Sequence, residues 1–234
     1  MASLIEIRGV SKTYQRGQQP VEVLHHVDLD ITEGDFVALM GPSGSGKTTL
    51  LNLIAGLDRP SEGSIAIRGQ RIDGLGETAL ARWRSSHIGF VYQFYNLLPM
   101  LNAQKNVELP LLLTRLSAAE RRRNASIALQ LVGLADRASH RPSELSGGQQ
   151  QRVAIARAIV SDPAVLVCDE PTGDLDRQAA QDVLSLLREL SRNHGKTVVM
   201  VTHDPLAAEY ATHTLRLDKG SLAPVAEPSR PAMA

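Results

Sequence analysis

The sequence has a single cysteine, Cys168, so no disulfide can form within the chain. Disulfides are rare in reducing compartments, and one cysteine in 234 residues favours a protein kept under reducing conditions. The thiol lies in an apolar run between Val167 and Asp169, which predicts a small buried side chain rather than a reactive nucleophile.

Long apolar runs are also missing. No stretch approaches the roughly 20 apolar residues needed to cross a bilayer, and the longest apolar cluster, residues 109–113, is interrupted by Pro110. The first ten residues alternate polar and apolar side chains and lack the hydrophobic core of a signal peptide. We therefore expect that, if the protein acts at a membrane, it does so from the membrane surface and does not span the bilayer.

The chain has no excess of either charge, because 25 Lys and Arg residues balance 25 Asp and Glu residues. No overall field attracts nucleic acid or an anionic bilayer, and we expect no nucleic-acid partner. We interpret the local cluster of arginines at 121–123 as a solvated helix face rather than a lipid-binding patch.

The hydrophobic pattern changes along the chain from strands to helices and back. Helical character dominates residues 96–161, after which strand and helix alternate, so we predict an α/β core that carries a helical subdomain. The predicted strands are 4–10, 21–31, 35–40, 64–68, 88–92, 165–168 and 197–201, with an edge strand at 215–217. The predicted helices include 118–133, 149–160 and 178–194, and a helix with Leu50, Leu53, Ile54 and Leu57 on one face.

A glycine-rich loop joins the buried strand at 35–40 to the following helix. It matches the pattern G-x-x-x-x-G-K-[ST] in full, with a strand and a helix on the correct sides. Backbone N–H groups and the helix dipole favour phosphate there. We predict that Lys47 reaches the β- and γ-phosphates and that the Thr48 hydroxyl binds Mg²⁺. The predicted phosphate-binding residues are Gly41, Pro42, Ser43, Gly44, Ser45, Gly46, Lys47, Thr48 and Thr49.

Two carboxylates end the apolar strand at 165–168. Ligands of parallel α/β sheets bind at the carboxyl ends of the strands. Asp169 is therefore predicted to face Thr48 and hold Mg²⁺, and Glu170 to act as general base for the attacking water. Alone, such a pair is more often a helix cap or a solvated turn, but the phosphate loop favours a nucleotide role.

Residues 145–157 distinguish between the families that use a phosphate loop. The segment begins Leu-Ser-Gly-Gly-Gln and opens a helix, which offers a second anion-binding N-terminus. It is similar to the signature motif of ABC (ATP-binding cassette) ATPases, and the resemblance covers about residues 3–222. This resemblance implies that one cassette contacts ATP held by another through Ser146, Gly147, Gly148 and Gln149.

Further positions match the ABC pattern in the right order. The resemblance implies that Tyr14 stacks on adenine, that Gln93 contacts Mg²⁺ or water, and that His203 senses the γ-phosphate. Residues 173–176 resemble the loop that crosses the dimer interface, although Asp174 replaces the more usual Asn or Ser. Singly, these residues have ordinary structural explanations, such as packing or a surface amide. The chemical groups of an active ATPase are all present.

The resemblance implies a phosphate-loop NTPase core of the RecA-like type, with an N-terminal antiparallel β subdomain and an inserted α-helical subdomain. We expect a single ABC domain at 1–222, with the core at about 1–93 and 162–222 and the helical subdomain at about 94–161. Residues 223–234, rich in Pro and Ala, are expected to form a loose tail. ABC cassettes dimerise head to tail around two ATP molecules, so a second cassette is an expected partner in a homodimer that binds ATP and Mg²⁺.

Residues 82–99, 106–111 and 170–176 resemble the lipoprotein-releasing and macrolide-exporter branch. That implies a separate integral membrane permease docked on the helical subdomain, with the cassette peripheral at the cytoplasmic face of the inner membrane. Two alternatives stay open: a cell-division-type cassette acting as an ATP-gated clamp, and a soluble ABC ATPase outside transport. The chain has neither the coiled-coil insertions nor the second cassette typical of the soluble members.

Overall fold

The protein is described by a computed structural model of residues 3–223. Its strands in this range are β1 (Ser3–Arg16), β2 (Gln19–Thr32), β3 (Phe36–Met40), β4 (Glu62–Ile67), β5 (Gln70–Arg71), β6 (Ile88–Tyr92), β7 (Val165–Asp169), β8 (Thr197–Val201), β9 (His213–Asp218) and β10 (Ser221–Ala223). Its α-helices are α1 (Lys47–Ile54), α2 (Glu77–His87), α3 (Ala103–Glu108), α4 (Ala118–Leu131), α5 (Gly147–Ile159), α6 (Arg177–His194) and α7 (Pro205–Ala208). Short 3₁₀ helices lie at Leu109–Leu113, Ala135–Arg137 and Pro142–Glu144.

The strands form two sheets. An antiparallel sheet has the order β2-β1-β4-β5, and a second sheet has the order β10-β9-β3-β8-β7-β6. From β9 to β6 the second sheet is parallel, and β10 pairs antiparallel with β9. The predicted α/β fold with an N-terminal antiparallel sheet is therefore confirmed.

The central parallel strands β3, β7 and β8 are buried on both faces, as expected where helices and a second sheet cover them, whereas β9 is largely exposed. Successive residues of a strand point to opposite sides, so each strand contributes to two cores. In β7, Leu166 and Cys168 join the core formed with α3 to α6, whereas Val165 and Val167 join the core shared with the antiparallel sheet and α1. Cys168 is fully buried, as predicted. This packing fixes the carboxyl ends of the strands.

Helices α3, α4 and α5 lie between β6 and β7 in the chain. Two of them begin with capping boxes, in which Ser117 and Ser146 accept from backbone N–H groups three residues later. Ser146 thus caps the helix predicted to carry the signature motif. Within residues 3–223, no helix is long and apolar enough to cross a membrane.

The structure differs from the sequence predictions at three places. Leu57 is 46% exposed because α1 ends at Ile54, so it does not share the buried face of that helix. Strand β9 is not an edge strand, because it pairs with β3 on one side and β10 on the other. Ala223 belongs to β10 rather than to a tail, and the rest of the predicted tail lies outside the described residues.

Candidate nucleotide site

The glycine-rich loop leaves β3 and enters α1 in a conformation that needs glycine. Gly46, the residue that precedes α1, has φ of 100°, and a Cβ there would lie 2.9 Å from the carbonyl oxygen of Val23. A Cβ on Gly41 would lie 2.0 Å from the carbonyl oxygen of Leu217. At these two positions the loop therefore packs against β9 and β2 with no room for a side chain, which holds its backbone in place.

The side chain of Lys47 bonds to the backbone of this loop. Its side chain is largely buried, with 9% of the residue exposed, and its ammonium group donates to the carbonyl oxygens of Gly41 and Pro42 at 2.9 Å each. A buried ammonium needs such partners. The cation is thus held at the mouth of the loop, where a phosphate oxygen can replace or join the carbonyls.

A cavity of about 570 Å³ opens beside the loop. It brings together residues from the phosphate loop, the end of β7 and the end of β8. Its lining consists of Val23, Gly41, Ser43, Gly44, Gly46, Lys47, Thr48, Thr49, Glu170, Val201 and His203. A larger groove of about 640 Å³ between β2 and β9 contains none of the predicted site residues. The chemistry of its lining rather than its size therefore makes the smaller cavity the candidate nucleotide site.

The acidic end of β7 faces the start of α1. The Thr48 hydroxyl lies 3.4 Å from Oδ1 of Asp169, within hydrogen-bond reach. Burial raises the pKa of Asp169 and the adjacent Glu170 carboxylate raises it further, whereas Thr48 and Lys47 oppose both effects. The site therefore holds more negative charge at Asp169 than its surroundings favour, and a cation there would relieve that cost.

The donor set fits a magnesium ion bound together with phosphate. A hydroxyl and a carboxylate are the hard oxygen ligands that Mg²⁺ prefers, and Mg²⁺ commonly uses one or two carboxylates with substrate phosphates. Residues 3–223 contain no cluster of three or more His, Cys, Asp or Glu side chains that could hold a metal ion. An ion at Thr48 and Asp169 would therefore take its remaining ligands from outside such a cluster, phosphate oxygens of the nucleotide among them.

Glu170 occupies a strained position beside His203. Its φ is +49°, a left-handed conformation that non-glycine residues rarely adopt, and its N–H donates to the carbonyl oxygen of Val201. The Glu170 Oε2 lies 2.5 Å from Nδ1 of His203. Strained residues concentrate at functional sites. Here the turn aims the carboxylate into the cavity and against the imidazole.

Tyr14 does not line this cavity but is anchored close to it. Its hydroxyl donates to Oδ2 of Asp58 at 2.7 Å, while Lys12 donates to Oδ1 of Asp58 at 2.7 Å and lies 4.7 Å from the centre of the tyrosine ring. Burial raises the pKa of the Tyr14 hydroxyl, and the nearby side chain of Thr49, which does line the cavity, opposes that rise. Burial alone would raise the pKa of Asp58, but the hydrogen bonds from Lys12 and Tyr14 outweigh it and lower the pKa. One ring face is thus covered by a cation, and the tyrosine is 39% exposed.

Gln93 and the signature segment also lie outside the cavity. Gln93 packs against Gly173, where an added Cβ would lie 2.9 Å from Nε2 of Gln93. In the signature segment, Ser146 and Gln149 complete the capping box of α5, and an added Cβ on Gly147 would lie 2.9 Å from the Tyr95 hydroxyl. Within one chain, the phosphate loop, both carboxylates and His203 therefore lie close together, and the signature segment of that chain lies elsewhere.

Sequence reasoning missed several residues that shape this region. Val23 and Val201 line the cavity with apolar surface, and no motif marks them. Lys12 and Asp58, which hold Tyr14, are 46 residues apart and meet only through the pairing of sheet and loop. Gln151 lies two residues after the signature motif but carries no signal of its own.

The family model described as "ABC transporter" matches residues 24–173 of this sequence. The chain belongs to the ABC transporter family. Among its relatives, the lipoprotein-releasing system ATP-binding protein LolD of Chromohalobacter salexigens is 46% identical over 219 residues, which cover 94% of this chain and 92% of that protein. The ABC transporter ATP-binding protein YknY of Bacillus subtilis is 45% identical over 227 residues, which cover 97% of this chain and 98% of that protein.

The same cassette also resembles part of a larger protein and a solved dimer. The macrolide export ATP-binding/permease protein MacB 1 of Yersinia pestis is 45% identical over 222 residues, but this match covers only 34% of that protein. A dimeric ATP-binding cassette in a post-hydrolysis state, bound to ADP and Pi, has a TM-score of 0.85 at 42% identity and covers 94% of this chain and 97% of that chain. The chain is thus the ATP-binding and ATP-hydrolysing subunit of an ABC transporter.

Proposed function

We propose that this ABC cassette drives a separate membrane permease of the lipoprotein-release or macrolide-export type. The similarity to LolD extends over nearly the full length of both chains. The match to MacB covers only the part of that fused protein that corresponds to a cassette. We place the cassette peripherally on the cytoplasmic face of the inner membrane, with the core at about 1–93 and 162–222 and the helical subdomain at about 94–161.

The observation that carries the catalytic assignment is the contact between Glu170 and His203 beside the phosphate loop. Glu170 accepts a proton from the attacking water, and His203 orients that carboxylate and contacts the γ-phosphate. Lys47 neutralises charge on the β- and γ-phosphates, and Gln93 orients the water. A magnesium ion bound by Thr48, Asp169 and Gln93 would neutralise phosphate charge. Each of these side chains thus binds phosphate, orients the water or the carboxylate, or accepts a proton.

Further residues complete the binding of the nucleotide. Tyr14 stacks on adenine, and the backbone of residues 41–49 cradles the phosphates. Ser146 to Gln149 of one cassette contact the ATP of a second copy, because the segment does not line the cavity of its own chain. This arrangement makes a head-to-tail homodimer the active form.

The permease docks on the helical subdomain. Large apolar side chains are exposed between residues 94 and 113, with Phe94 at 66%, Met100 at 68% and Leu113 at 81%. Several large exposed apolar side chains in one subdomain favour an interaction surface there. Leu113→Asp should abolish association with the permease and leave basal ATP hydrolysis unchanged. Leu206→Asp, at a residue that is 58% exposed on α7, is the matched control and should affect neither.

Affinity purification of the Glu170→Gln form with ATP from native membranes tests the transporter assignment. Co-purification of a permease with a large extracytoplasmic domain supports it. Recovery of ribosomes or DNA, or of no membrane protein, would contradict the proposed partner and leave the ATPase assignment intact.

A further inference from the structure

Gln151 on α5 is a fully buried amide that bridges two loops. The residue has no exposed surface, and its Nε2 donates to the carbonyl oxygens of Tyr92 at 3.1 Å and of Pro171 at 2.6 Å. Carbonyl oxygens only accept, so the amide nitrogen must face both of them. A single side chain therefore uses both of its N–H groups on backbone that is distant in sequence.

The two carbonyls flank the residues assigned to catalysis above. Tyr92 ends β6 and directly precedes Gln93, while Pro171 directly follows Glu170 after β7. Gln93 and Glu170 thus each lie one residue from a carbonyl that Gln151 holds. A shift of this amide would move both loops together.

The other end of the amide is costly to bury. Gln151 Oε1 has no hydrogen-bond partner within residues 3–223. A buried polar atom without a partner destabilises a fold. An apolar side chain of similar size would avoid that cost, so packing alone does not account for glutamine here, whereas its two donated hydrogen bonds do.

The same helix holds the segment after Gln93 from its other side. Arg157 donates to the carbonyl oxygens of Tyr95 and Asn96, at 2.7 Å and 2.5 Å, and both residues have positive φ, 30° and 49°. Helix α5 therefore contacts both ends of residues 92–96, through Gln151 and Arg157, and Gln93 lies between the two contacts. It is capped by Ser146, in the segment that faces the partner's ATP in the proposed dimer.

We propose that Gln151 is a positioning residue that couples the signature helix to the catalytic loops of its own chain. It holds Gln93 and Glu170 in a fixed relation to α5, so that contact between Ser146 and the partner's nucleotide also orders the hydrolytic site. The proposal rests on the roles assigned to Gln93 and Glu170 above.

Two substitutions of Gln151 remove one or both donated hydrogen bonds while keeping the approximate size of the side chain. Gln151→Glu is nearly isosteric and, as a buried neutral acid, donates at most one hydrogen bond, whereas Gln151→Met is an apolar chain of similar length that donates none. Gln150→Met is the matched control, because Gln150 is the adjacent glutamine and donates only to the Leu145 carbonyl at the start of its own helix. ATP turnover, ATP affinity and magnesium dependence are measured on each intact chain.

We expect kcat to fall about 10- to 100-fold in both Gln151 variants, since a misplacement of about 1 Å can cost 100-fold. The affinity of the chain for ATP should change less than about twofold, because the phosphate loop is untouched. The magnesium concentration for half-maximal turnover should rise, because Gln93 is displaced. Gln150→Met should leave all three values unchanged.

Unchanged kcat in Gln151→Glu would overturn the proposal, as would equal losses of kcat and ATP affinity, which indicate a general structural defect. If neither variant folds, Gln151→Asn retains an amide that is too short to reach both carbonyls, and the same pattern of losses is expected. Glu170→Gln is measured alongside. If it retains normal turnover, the base assignment fails independently of Gln151.

Discussion

Removal of the Tyr14 ring should weaken binding of ATP but not binding of a ligand that lacks a base. Stacking of a base on an aromatic side chain contributes about 1–3 kcal/mol, and each 1.4 kcal/mol corresponds to tenfold in affinity. Tyr14→Ala should therefore raise the dissociation constant for ATP by roughly 5- to 150-fold. Because Tyr14 is 39% exposed, its truncation should cost little stability.

Variants of the hydrogen bond between Tyr14 and Asp58 distinguish the stacking of the ring from its positioning. Tyr14→Phe keeps the ring and loses the hydrogen bond to Asp58, so we expect a smaller loss of ATP affinity, about two- to fivefold. Asp58→Asn keeps an acceptor for the hydroxyl but removes the charge that pairs with Lys12. It should weaken ATP binding less than Tyr14→Ala does.

Calorimetric titration of each variant with ATP and with tripolyphosphate measures this difference. Tripolyphosphate can bind the phosphate loop but has no adenine, so its affinity should be the same for the native chain and for all Tyr14 variants. Equal weakening of both ligands would show that Tyr14 acts on the loop rather than on adenine. Undiminished ATP affinity in Tyr14→Ala would refute the stacking role altogether.

Three further predictions concern packing, reactivity and pH. Gly89→Ala places a Cβ 2.3 Å from the Ala158 carbonyl oxygen and should lower the melting temperature by roughly 5–10 °C, whereas Gly74→Ala, with open space around it, should not; calorimetry of both checks this. Burial raises the pKa of the Cys168 thiol, so thiol reagents should label it only when denaturant unfolds the chain, and rapid labelling of the native protein would contradict its burial. The folded-state pKa of Asp58 is depressed, so its contribution to stability is full above the unfolded pKa and is lost as pH falls through the folded value; the stability gap between native chain and Asp58→Asn in urea should shrink below about pH 4, and an unchanged gap would refute this.

The phosphate loop and the acidic strand end were predictable because each is a local pattern with a geometric consequence. A strand, a glycine-rich turn and a helix in succession fix where Lys47 and Thr48 point, and the parallel sheet brings Asp169 to the same edge. The strained turn at Glu170 and its contact with His203 depend on the pairing of β7 with β8, which no spacing in the sequence reveals.

The contacts that were missed are long-range and use ordinary residues. Asp58 and Lys12 resemble any surface pair until the antiparallel sheet brings β1 to the loop after α1. Gln151 is one of three consecutive glutamines in the sequence, and only the fold shows that it is buried between two loops, whereas the neighbouring Gln150 donates to the Leu145 carbonyl just before its own helix. The end of α1 at Ile54 similarly depends on the turn that follows rather than on the apolar spacing that included Leu57.

The most direct test of the account is the rate of phosphate release from ATP and magnesium by the purified chain and its Glu170→Gln form. With Glu170 as general base, the native chain turns over and the variant is slower by about 10²- to 10⁴-fold while it still binds ATP. Normal turnover by Glu170→Gln would contradict the assignment of the base and the mechanism built on it.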